Sequence, residues 1–202
     1  MMKLLSAQAS PYGRKVKITA ALKGVADQIE TKAVDTLPLV NEELRRENPL
    51  SKIPVLILED GTQIFDSHVI CEYLDSLTPE PRLFPPSGPE RFRTLTLAAL
   101  ADGILDAALL LVYEKRFRPE DKWVDTWMQR QQLKIDPALD WLEKAPPEMG
   151  AHPDYGHVTL ACALGYLDFR HGGVWRATHP KLVAWLDAFD KAVPAFAESR
   201  PN

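Results

Sequence analysis

Short apolar runs, separated by charged and turn-forming residues, fill the first 78 positions of the chain. Runs of this length predict strands at residues 3–6, 28–34, 55–58 and 63–65. The pair Asp60-Gly61, between the last two runs, is typical of a hairpin turn. Helices are predicted at residues 11–23, 39–47 and 67–77. The predicted order is therefore βαβ followed by ββα.

A proline-rich segment ends this pattern. Five prolines lie between residues 78 and 89, and a helix cannot continue through them, so the segment is predicted to be a linker. Strand signals nearly vanish beyond it, and helices are predicted at residues 90–117, 120–144, 157–169 and 181–193. The fold class is therefore α/β plus all-α, with an α/β domain at 1–78, a linker at 79–89 and an all-helical domain at 90–202.

Composition narrows the classes of function. The chain has 202 residues, of which 46% are hydrophobic, and this suits one large or two small domains with a proper core. A net charge of -4 does not favour nucleic acid or an anionic membrane as a partner. The two cysteines, Cys71 and Cys162, are far apart and fit no disulfide framework or metal-ligand spacing. We expect a cytoplasmic protein without a metal.

Two segments resemble targeting or membrane signals. Residues 1–10 end in an Ala-Gln-Ala sequence like a signal-peptidase site, but the apolar core before it is far too short. The run at 95–113 is apolar enough to span a membrane, but Asp102 and Asp106 lie at its centre. Each aspartate costs roughly 2.5–3.5 kcal/mol on insertion, so a buried or dimer-facing helix is predicted and no membrane partner is expected.

The first candidate for chemistry is Ser10-Pro11-Tyr12-Gly13. Serine before proline is a strong helix-start signal. Thioredoxin-like redox proteins carry a Cys-Pro-Tyr-Cys type sequence at the same place, but here both cysteines are absent and a hydroxyl replaces the thiolate. We interpret the segment as a thiol-binding site in which the sulfur arrives on a ligand. The alternative is that Ser10 is only an N-cap.

The second candidate is Ile53-Pro54, directly before the strand at 55–58. Proline is poorly tolerated inside a central strand. A cis bond here would turn the backbone N–H and C=O of Ile53 towards a ligand that docks like a strand. The alternative is an ordinary trans turn proline, which the spacing alone favours.

The third candidate is Asp66-Ser67, where a strand ends and a helix starts. Backbone N–H groups at a helix N-terminus form an anion site, and Asp66 is suited to an ammonium group. Together they would bind the end of an amino acid that carries both charges. Taken alone, the pair is better explained as a helix cap.

The order and spacing of these motifs make the chain resemble the glutathione transferase family, over nearly its whole length. The resemblance rests on S-P-Y-x-R-K-V from residue 10, N-P-x-x-K-I-P-V-L from residue 48 and D-S-x-x-I-x-x-Y-L from residue 66. The proline linker and the helical second half add to it. A-L-A-D-G-I from residue 99 and A-C-A-L-G-Y-L from residue 161 are similar to a bacterial, YibF-like branch. A thioredoxin-like domain followed by the family's helical domain is implied.

The resemblance also implies roles for single residues in binding glutathione. Ser10 would hydrogen-bond the sulfur, Ile53 before a cis Pro54 would pair with the cysteinyl backbone, and Lys52 would meet the glycyl carboxylate. The γ-glutamyl end would be held by Asp66 and Ser67.

Further positions in the chain match less specific family features. Asp102, in a D-G-x-x-D stretch, would reach the partner subunit's glutathione, and the alternative is a polar dimer seam. The candidates for a second-substrate site are Tyr12, Leu109, Tyr113 and Trp175, with core packing as the alternative for each.

The function implied is a cytoplasmic, homodimeric glutathione transferase of the serine type, acting in detoxification. It would activate the glutathione thiolate for attack on a small electrophile, by conjugation or by glutathione-dependent reduction. The alternative is a non-catalytic module on the same fold, binding glutathione or another protein. A thiol-disulfide oxidoreductase is a weaker option, because the loop lacks the cysteine.

One departure from the family concerns the third helix of the second half. That helix usually begins with a Ser/Thr-x-x-Asp capping box, but here Thr159 is followed by Cys162. We therefore expect packing to stabilise this helix start more than capping does. His152 and His157 are predicted to be solvated loop residues, and His68 a residue of a helix surface.

Overall fold

The computed structural model describes residues 1–38 and 40–201 in two compact units. The first unit contains Met1–Pro85 together with the C-terminal segment from Val193, and the second contains Pro86–Ala192. The prediction had put residues 193–202 in the helical half. The structure instead packs the segment from Val193 with the first unit.

A four-stranded sheet forms the centre of the first unit. Its strands are β1 (Met2–Ser6), β2 (Ile29–Ala33), β3 (Val55–Ile57) and β4 (Gln63–Ile64), in the order β2-β1-β3-β4. β1 and β2 are parallel, whereas β3 runs antiparallel to both β1 and β4. The predicted βαβ-ββα order is therefore confirmed.

Three helices accompany this sheet: α1 (Pro11–Leu22), α2 (Glu42–Glu47) and α3 (Ser67–Ser76). A short 3-10 turn at Ala26–Gln28 precedes β2. α1 packs against α3, and the aliphatic side chains that meet between helices and sheet are fully buried. α2 begins later than the predicted helix at 39–47, because Asn41 caps it, and Leu39 lies outside the described residues.

A buried ion pair ties the proline-rich segment to α1 and α3. The Lys23 Nζ lies 3.0 Å from Asp75 Oδ1, and the two side chains are 0% and 9% exposed. Nζ also donates to the backbone oxygens of Thr78 (2.8 Å) and Pro81 (2.6 Å). The Asp75 carboxylate accepts the backbone N–H groups of residues 83 and 84, at 2.8 and 3.1 Å. Both charges are thus paired and hydrogen-bonded, which buried charges require.

The second unit is helical. It contains α4 (Gly88–Phe117), α5 (Asp125–Lys144), α6 (Tyr155–His171) and α7 (Pro180–Ala192), with 3-10 turns at Glu120–Lys122 and Val174–Ala177. α4 packs against α5 and α6. Among the described residues, α4 is the one helix that is long and apolar enough to cross a membrane. The core helix of a soluble protein meets the same criterion of length and composition. The predicted helix at 120–144 is wrong at its start, because Glu114 accepts the backbone N–H of Val124 and the chain turns there.

The start of α6 differs from the expectation drawn from Thr159 and Cys162. Asp154 caps the helix, and its carboxylate accepts the backbone N–H of His157 at 3.0 Å. In return, the Nδ1 atom of His157 accepts the backbone N–H of Asp154 at 3.0 Å. A complete capping box therefore exists one turn earlier than expected. The prediction of a solvated His157 is wrong, since its side chain is buried within this box.

Contacts with α4 complete this helix start. Burial raises the pKa of Asp154, but hydrogen bonds from His157 and Thr94 outweigh it and hold the pKa below the ordinary value of 3.8. A Cβ on Gly156 would lie 2.8 Å from the backbone oxygen of Thr94. The close approach of α4 and α6 therefore requires glycine at this position.

A last helix, α8 (Pro194–Glu198), lies outside the predicted elements. α7 ends at Ala192, one residue before the predicted end at 193, and Pro194 begins α8 in the first helical turn. α8 packs against α1 in the first unit. A helix of five residues that begins with proline is too short to give a recognisable hydrophobic periodicity in the sequence.

Candidate functional site

The register of the sheet brings the three candidate motifs to one end of it. Leu5, near the end of β1, pairs with Val55 at the start of β3, and Leu56 pairs with Ile64 at the end of β4. The segment after β1 leads to Ser10, the residue before β3 is Pro54, and the segment after β4 leads to Asp66. These motifs are distant in sequence but share one end of the first unit. This end is the candidate functional site.

Ser10 is half-buried and caps α1. Its Oγ accepts the backbone N–H of Gly13 at 3.1 Å, and its own N–H donates to the backbone oxygen of Ala7 at 3.0 Å. Capping uses one lone pair of the hydroxyl oxygen and leaves the proton to donate. The two interpretations of Ser10 are thus compatible, because one hydroxyl can cap the helix and donate to an anion.

The first turn of α1 is packed tightly against β1. A Cβ on Gly13 would lie 1.9 Å from Ser6 Oγ and 3.2 Å from Ser6 Cβ. Ser6 is buried, so it has little room to move aside. Gly13 therefore sets the distance between the helix start and the end of β1. Sequence reasoning did not assign this role, although Gly13 stood within the first motif.

Tyr12 lies in the same turn and is half-buried. Its ring centroid lies 5.4 Å from the Nζ atom of Lys15, within range of a cation–π contact. Lys15 itself is fully buried. Tyr12 thus lies near Ser10 and is partly open to solvent.

A loop held by Asn48 carries the second motif. The side-chain amide of Asn48 donates to the backbone oxygen of Lys52 at 2.9 Å, and its Oδ1 accepts the N–H of Leu50 at 3.0 Å. Lys52 is exposed, whereas Ile53 is half-buried against the cluster of β1 and β3 side chains. The Ile53–Pro54 bond is cis, as the family resemblance implied and the spacing alone did not. Sequence reasoning missed Asn48, although an Asn-Pro pair ending a helix was a signal for it.

The third motif begins α3. Asp66 is exposed and caps the helix, with Oδ1 accepting the backbone N–H of His68 at 3.0 Å. The Phe65–Asp66 peptide bond is also cis. Ser67 follows as the first helical residue and is buried. Of the two residues, Asp66 is therefore the cap, and the N–H groups of the first turn of α3 point to the same end of the sheet.

His68 is half-buried, and its ring packs edge-to-face on Phe84 with 5.6 Å between centroids. The expected surface position of His68 is therefore correct only in part. Through Phe84 the start of α3 contacts the segment that the Lys23–Asp75 pair anchors.

The remaining candidates belong to the second unit. Asp102 is half-buried on α4 and Asp106 is exposed one turn later. Leu109 is half-buried, and Tyr113 is 38% exposed, with its ring edge-to-face on Phe117 at 5.2 Å. Tyr113 is thus open to solvent on the C-terminal half of α4.

Trp175 is held by a polar cluster. Its side chain is buried, and its indole N–H donates to Asp168 Oδ1 at 2.9 Å. Arg176 binds the same carboxylate through two atoms, at 2.9 and 2.7 Å. These contacts favour a packing role for Trp175 over contact with a substrate.

Sequence reasoning also passed over Tyr166 on α6. Burial raises the pKa of this phenol to about 12, against the opposing charge of Arg170. The hydroxyl of Tyr166 is therefore protonated near neutral pH. Among residues 1–38 and 40–201, no group of three His, Cys, Asp or Glu side chains is arranged to hold a metal ion.

Comparison with known proteins gives consistent matches over both units. The model of the glutathione S-transferase N-terminal domain matches residues 9–77, and that of the C-terminal domain matches residues 125–188. The chain is 35% identical to the GST-like protein YibF of Escherichia coli K12, with 92% of each chain covered.

Two solved structures of a glutathione transferase family member from Pseudomonas fluorescens Pf-5 cover 100% of both chains. One contains bound glutathione and is 40% identical, with a TM-score of 0.95. The other contains bound S-(propanoic acid)-glutathione and is 39% identical, with a TM-score of 0.91.

Proposed function

Because the chain belongs to the glutathione S-transferase family, we propose that it is a glutathione transferase of the serine type in which Ser10 activates the thiol. Glutathione is then the co-substrate, and the second substrate is a small electrophile. The Pseudomonas relative with bound glutathione is 40% identical to this chain over its whole length, which supports the same ligand here.

The observation that carries the proposal is the Ser10 hydroxyl at the N-terminus of α1. Its oxygen is oriented by the N–H of Gly13, so its proton is free to donate to a sulfur anion. The partial positive charge of the helix N-terminus favours an anion at the same place. Both interactions stabilise the thiolate more than the thiol and so lower the pKa of the bound thiol.

The neighbouring motifs supply contacts for the rest of glutathione. The backbone of Ile53, at the start of β3, pairs with the cysteinyl backbone as an added strand would. Asp66 binds the γ-glutamyl ammonium, and the first turn of α3 with Ser67 binds its carboxylate. Lys52 is exposed beside Ile53 and reaches the glycyl carboxylate. Pro54 fixes the loop between these contacts.

The proposed reaction begins when the glutathione thiol gives its proton to water. With an aryl chloride, the thiolate sulfur attacks carbon, a sulfur–carbon bond forms, and chloride departs with its bonding electron pair. With an α,β-unsaturated ketone, the π electron pair of the C=C bond moves to the carbonyl oxygen and a proton is taken from water. With a hydroperoxide, the sulfur attacks oxygen, the O–O bond breaks, the alcohol departs, and a second glutathione displaces hydroxide to give the disulfide. A reductive course requires a second glutathione, whose thiolate attacks the first sulfur. Glutathione disulfide then forms, and the substrate carbon keeps the electron pair and takes a proton from water.

The proposed contacts of the second substrate in the second unit are Leu109, Tyr113 and Trp175. Tyr12 is a separate candidate contact in the first unit. Tyr113 has the best support because its ring is open to solvent, and Trp175 the least because its indole is buried against Asp168. The proposal includes a cytoplasmic homodimer, in which Asp102 reaches the partner subunit's glutathione.

Calorimetry with glutathione, followed by turnover assays, tests the proposal. The assays use an activated aryl chloride, an α,β-unsaturated ketone and an organic hydroperoxide, each with glutathione. The proposal predicts binding and turnover of at least one electrophile. Binding without any turnover would favour a non-catalytic glutathione-binding module, and no binding would refute both functions.

A further inference from the structure

We infer that Arg14 is a positioning residue that anchors the first turn of α1, and thereby Ser10, to the C-terminal helix α8. The thiol-activating consequence rests on the proposed function, whereas the anchoring does not.

Arg14 is buried and makes three kinds of contact with the C-terminal segment. Its NH2 atom donates to the backbone oxygen of Phe196 at 2.5 Å, and its Nε donates to Ser199 Oγ at 3.2 Å. Its guanidinium carbon lies 3.9 Å from the centroid of the Phe196 ring. The planar guanidinium is thus fixed by two hydrogen bonds and a stacking contact, which a lysine cannot reproduce.

The backbone of Arg14 belongs to the turn that holds Ser10. Its N–H donates to the backbone oxygen of Ser10 at 3.0 Å, next to the bond from the Gly13 N–H to Ser10 Oγ. Helix ends fray because their first N–H groups have few partners. A buried side chain fixed to a separate element at this point restrains the turn. The Ser10 hydroxyl is therefore held in place by contacts with a segment 182 residues further along the chain.

Two mechanisms are distinguishable by substitution. If Arg14 acts through its charge, Arg14→Lys keeps the first turn of α1 restrained, and Phe196→Ala does not change that restraint. If Arg14 acts as an anchor, Arg14→Lys loses most of the restraint on the first turn of α1, and Phe196→Ala reproduces that loss. In the second case the double variant Arg14→Met/Phe196→Ala exchanges no faster at Gly13 than Arg14→Met alone, because Arg14→Met already removes the ring contact that Phe196→Ala removes.

Hydrogen exchange of the Gly13 amide tests the anchor without any ligand. We expect this amide to exchange about tenfold faster in Arg14→Met and in Phe196→Ala than in the unaltered protein. Ser199→Ala removes the bond that Ser199 Oγ accepts from Arg14 Nε and the longer one that it donates to the Phe196 oxygen, and it is the milder variant if either of these fails to fold. Asp75→Asn is the control, because it removes the ionic partner of Lys23 at the C-terminal end of α1 and leaves the first turn of α1 unaltered. Unchanged Gly13 exchange in folded Arg14→Met, or in Ser199→Ala and Arg14→Lys together, would overturn the inference.

Titration of bound glutathione tests the consequence for the thiol. The thiolate absorbs near 240 nm, and we expect the apparent pKa of the bound thiol to rise by about half a unit in Arg14→Lys. With a bound-thiol pKa of about 6.5 in the unaltered protein, the thiolate fraction at neutral pH falls from about three quarters to about half. As pH is lowered, kcat should fall, and in Arg14→Lys this fall should begin at a higher pH. The KM for glutathione should change little. If the unaltered protein binds no glutathione, the proposed function fails and the exchange experiment still decides the anchor. Faster Gly13 exchange with an unchanged pKa would overturn the link from Arg14 to the thiol.

Discussion

Ser10→Ala removes a hydroxyl that makes two contributions, and the chain allows them to be separated. The side chain caps α1 through the Gly13 N–H and, in the proposed function, donates to the glutathione sulfur. Replacing serine at an N-cap by alanine costs about 1 kcal/mol of stability, whereas glycine costs only a few tenths. Alanine and glycine both lack the donor. Comparing Ser10→Ala with Ser10→Gly therefore distinguishes loss of the cap from loss of the donor.

The expected loss of activity follows from the shift in pKa that the bound thiol requires. A free thiol has a pKa of about 8.5, and lowering it by about two units requires roughly 2.7 kcal/mol of preferential thiolate stabilisation. A hydrogen bond to a charged group contributes about 1.5–3 kcal/mol, and the helix N-terminus about 0.3–1 kcal/mol. Most of the stabilisation therefore has to come from Ser10. We expect both variants to lose about tenfold to a hundredfold in kcat/KM.

Steady-state rates with an electrophile that the unaltered protein turns over, together with thermal unfolding, measure the two contributions. Ser10→Thr keeps a hydroxyl and should retain most activity. Ser87→Ala is a matched control, because Ser87 caps α4 without any side-chain hydrogen bond. The reasoning is refuted if Ser10→Gly keeps full activity, or if Ser10→Ala loses activity only as far as it loses stability.

Three further predictions concern a buried ion pair, a close contact and a helix cap. Lys23→Met should lower the free energy of unfolding by about 3–5 kcal/mol, since Asp75 would stay buried without its cation, and Asp75→Asn in the same chain should recover part of the loss in chemical denaturation. Gly13→Ala should lower the unfolding midpoint and glutathione affinity through its clash with Ser6, and Ser6→Ala should restore them partly; an unchanged midpoint would contradict the packing described. Asp154 has a lowered pKa when folded, so its contribution to stability is complete above pH 3.8 and is lost as pH falls through the folded value. Asp154→Asn keeps the cap without titrating, and its acid unfolding should be less steep; an equally steep profile would argue against the assignment.

Local sequence signals predicted most of the first unit. Ser10 before Pro11 marks a helix start, and the Asp60-Gly61 turn separates β3 from β4, because each signal depends on a residue's own backbone preferences. The convergence of Ser10, Ile53-Pro54 and Asp66 at one end of the sheet was not a local signal. It followed from the thioredoxin-like fold that the family resemblance implied, and the strand register agrees with it.

The errors arose where a distant partner decides the structure. His157 reads as a loop histidine until Asp154 accepts its N–H and the pair forms a capping box. The sequence assigned no role to Arg14, because its guanidinium donates to the backbone oxygen of Phe196, far along the chain. Glu114 lies in the last turns of α4, yet its carboxylate accepts the backbone N–H of Val124 just before α5. No local pattern carries these pairings, since each one is specified by tertiary packing.

The state of the sulfur in bound glutathione is the most direct test of the account. Titration of the thiolate absorbance near 240 nm, with glutathione saturating the unaltered protein, gives the pKa of the bound thiol. The account predicts a pKa about two units below the free value of about 8.5, and a return towards that value in Ser10→Gly. A bound thiol that titrates like free glutathione would contradict thiolate stabilisation by Ser10.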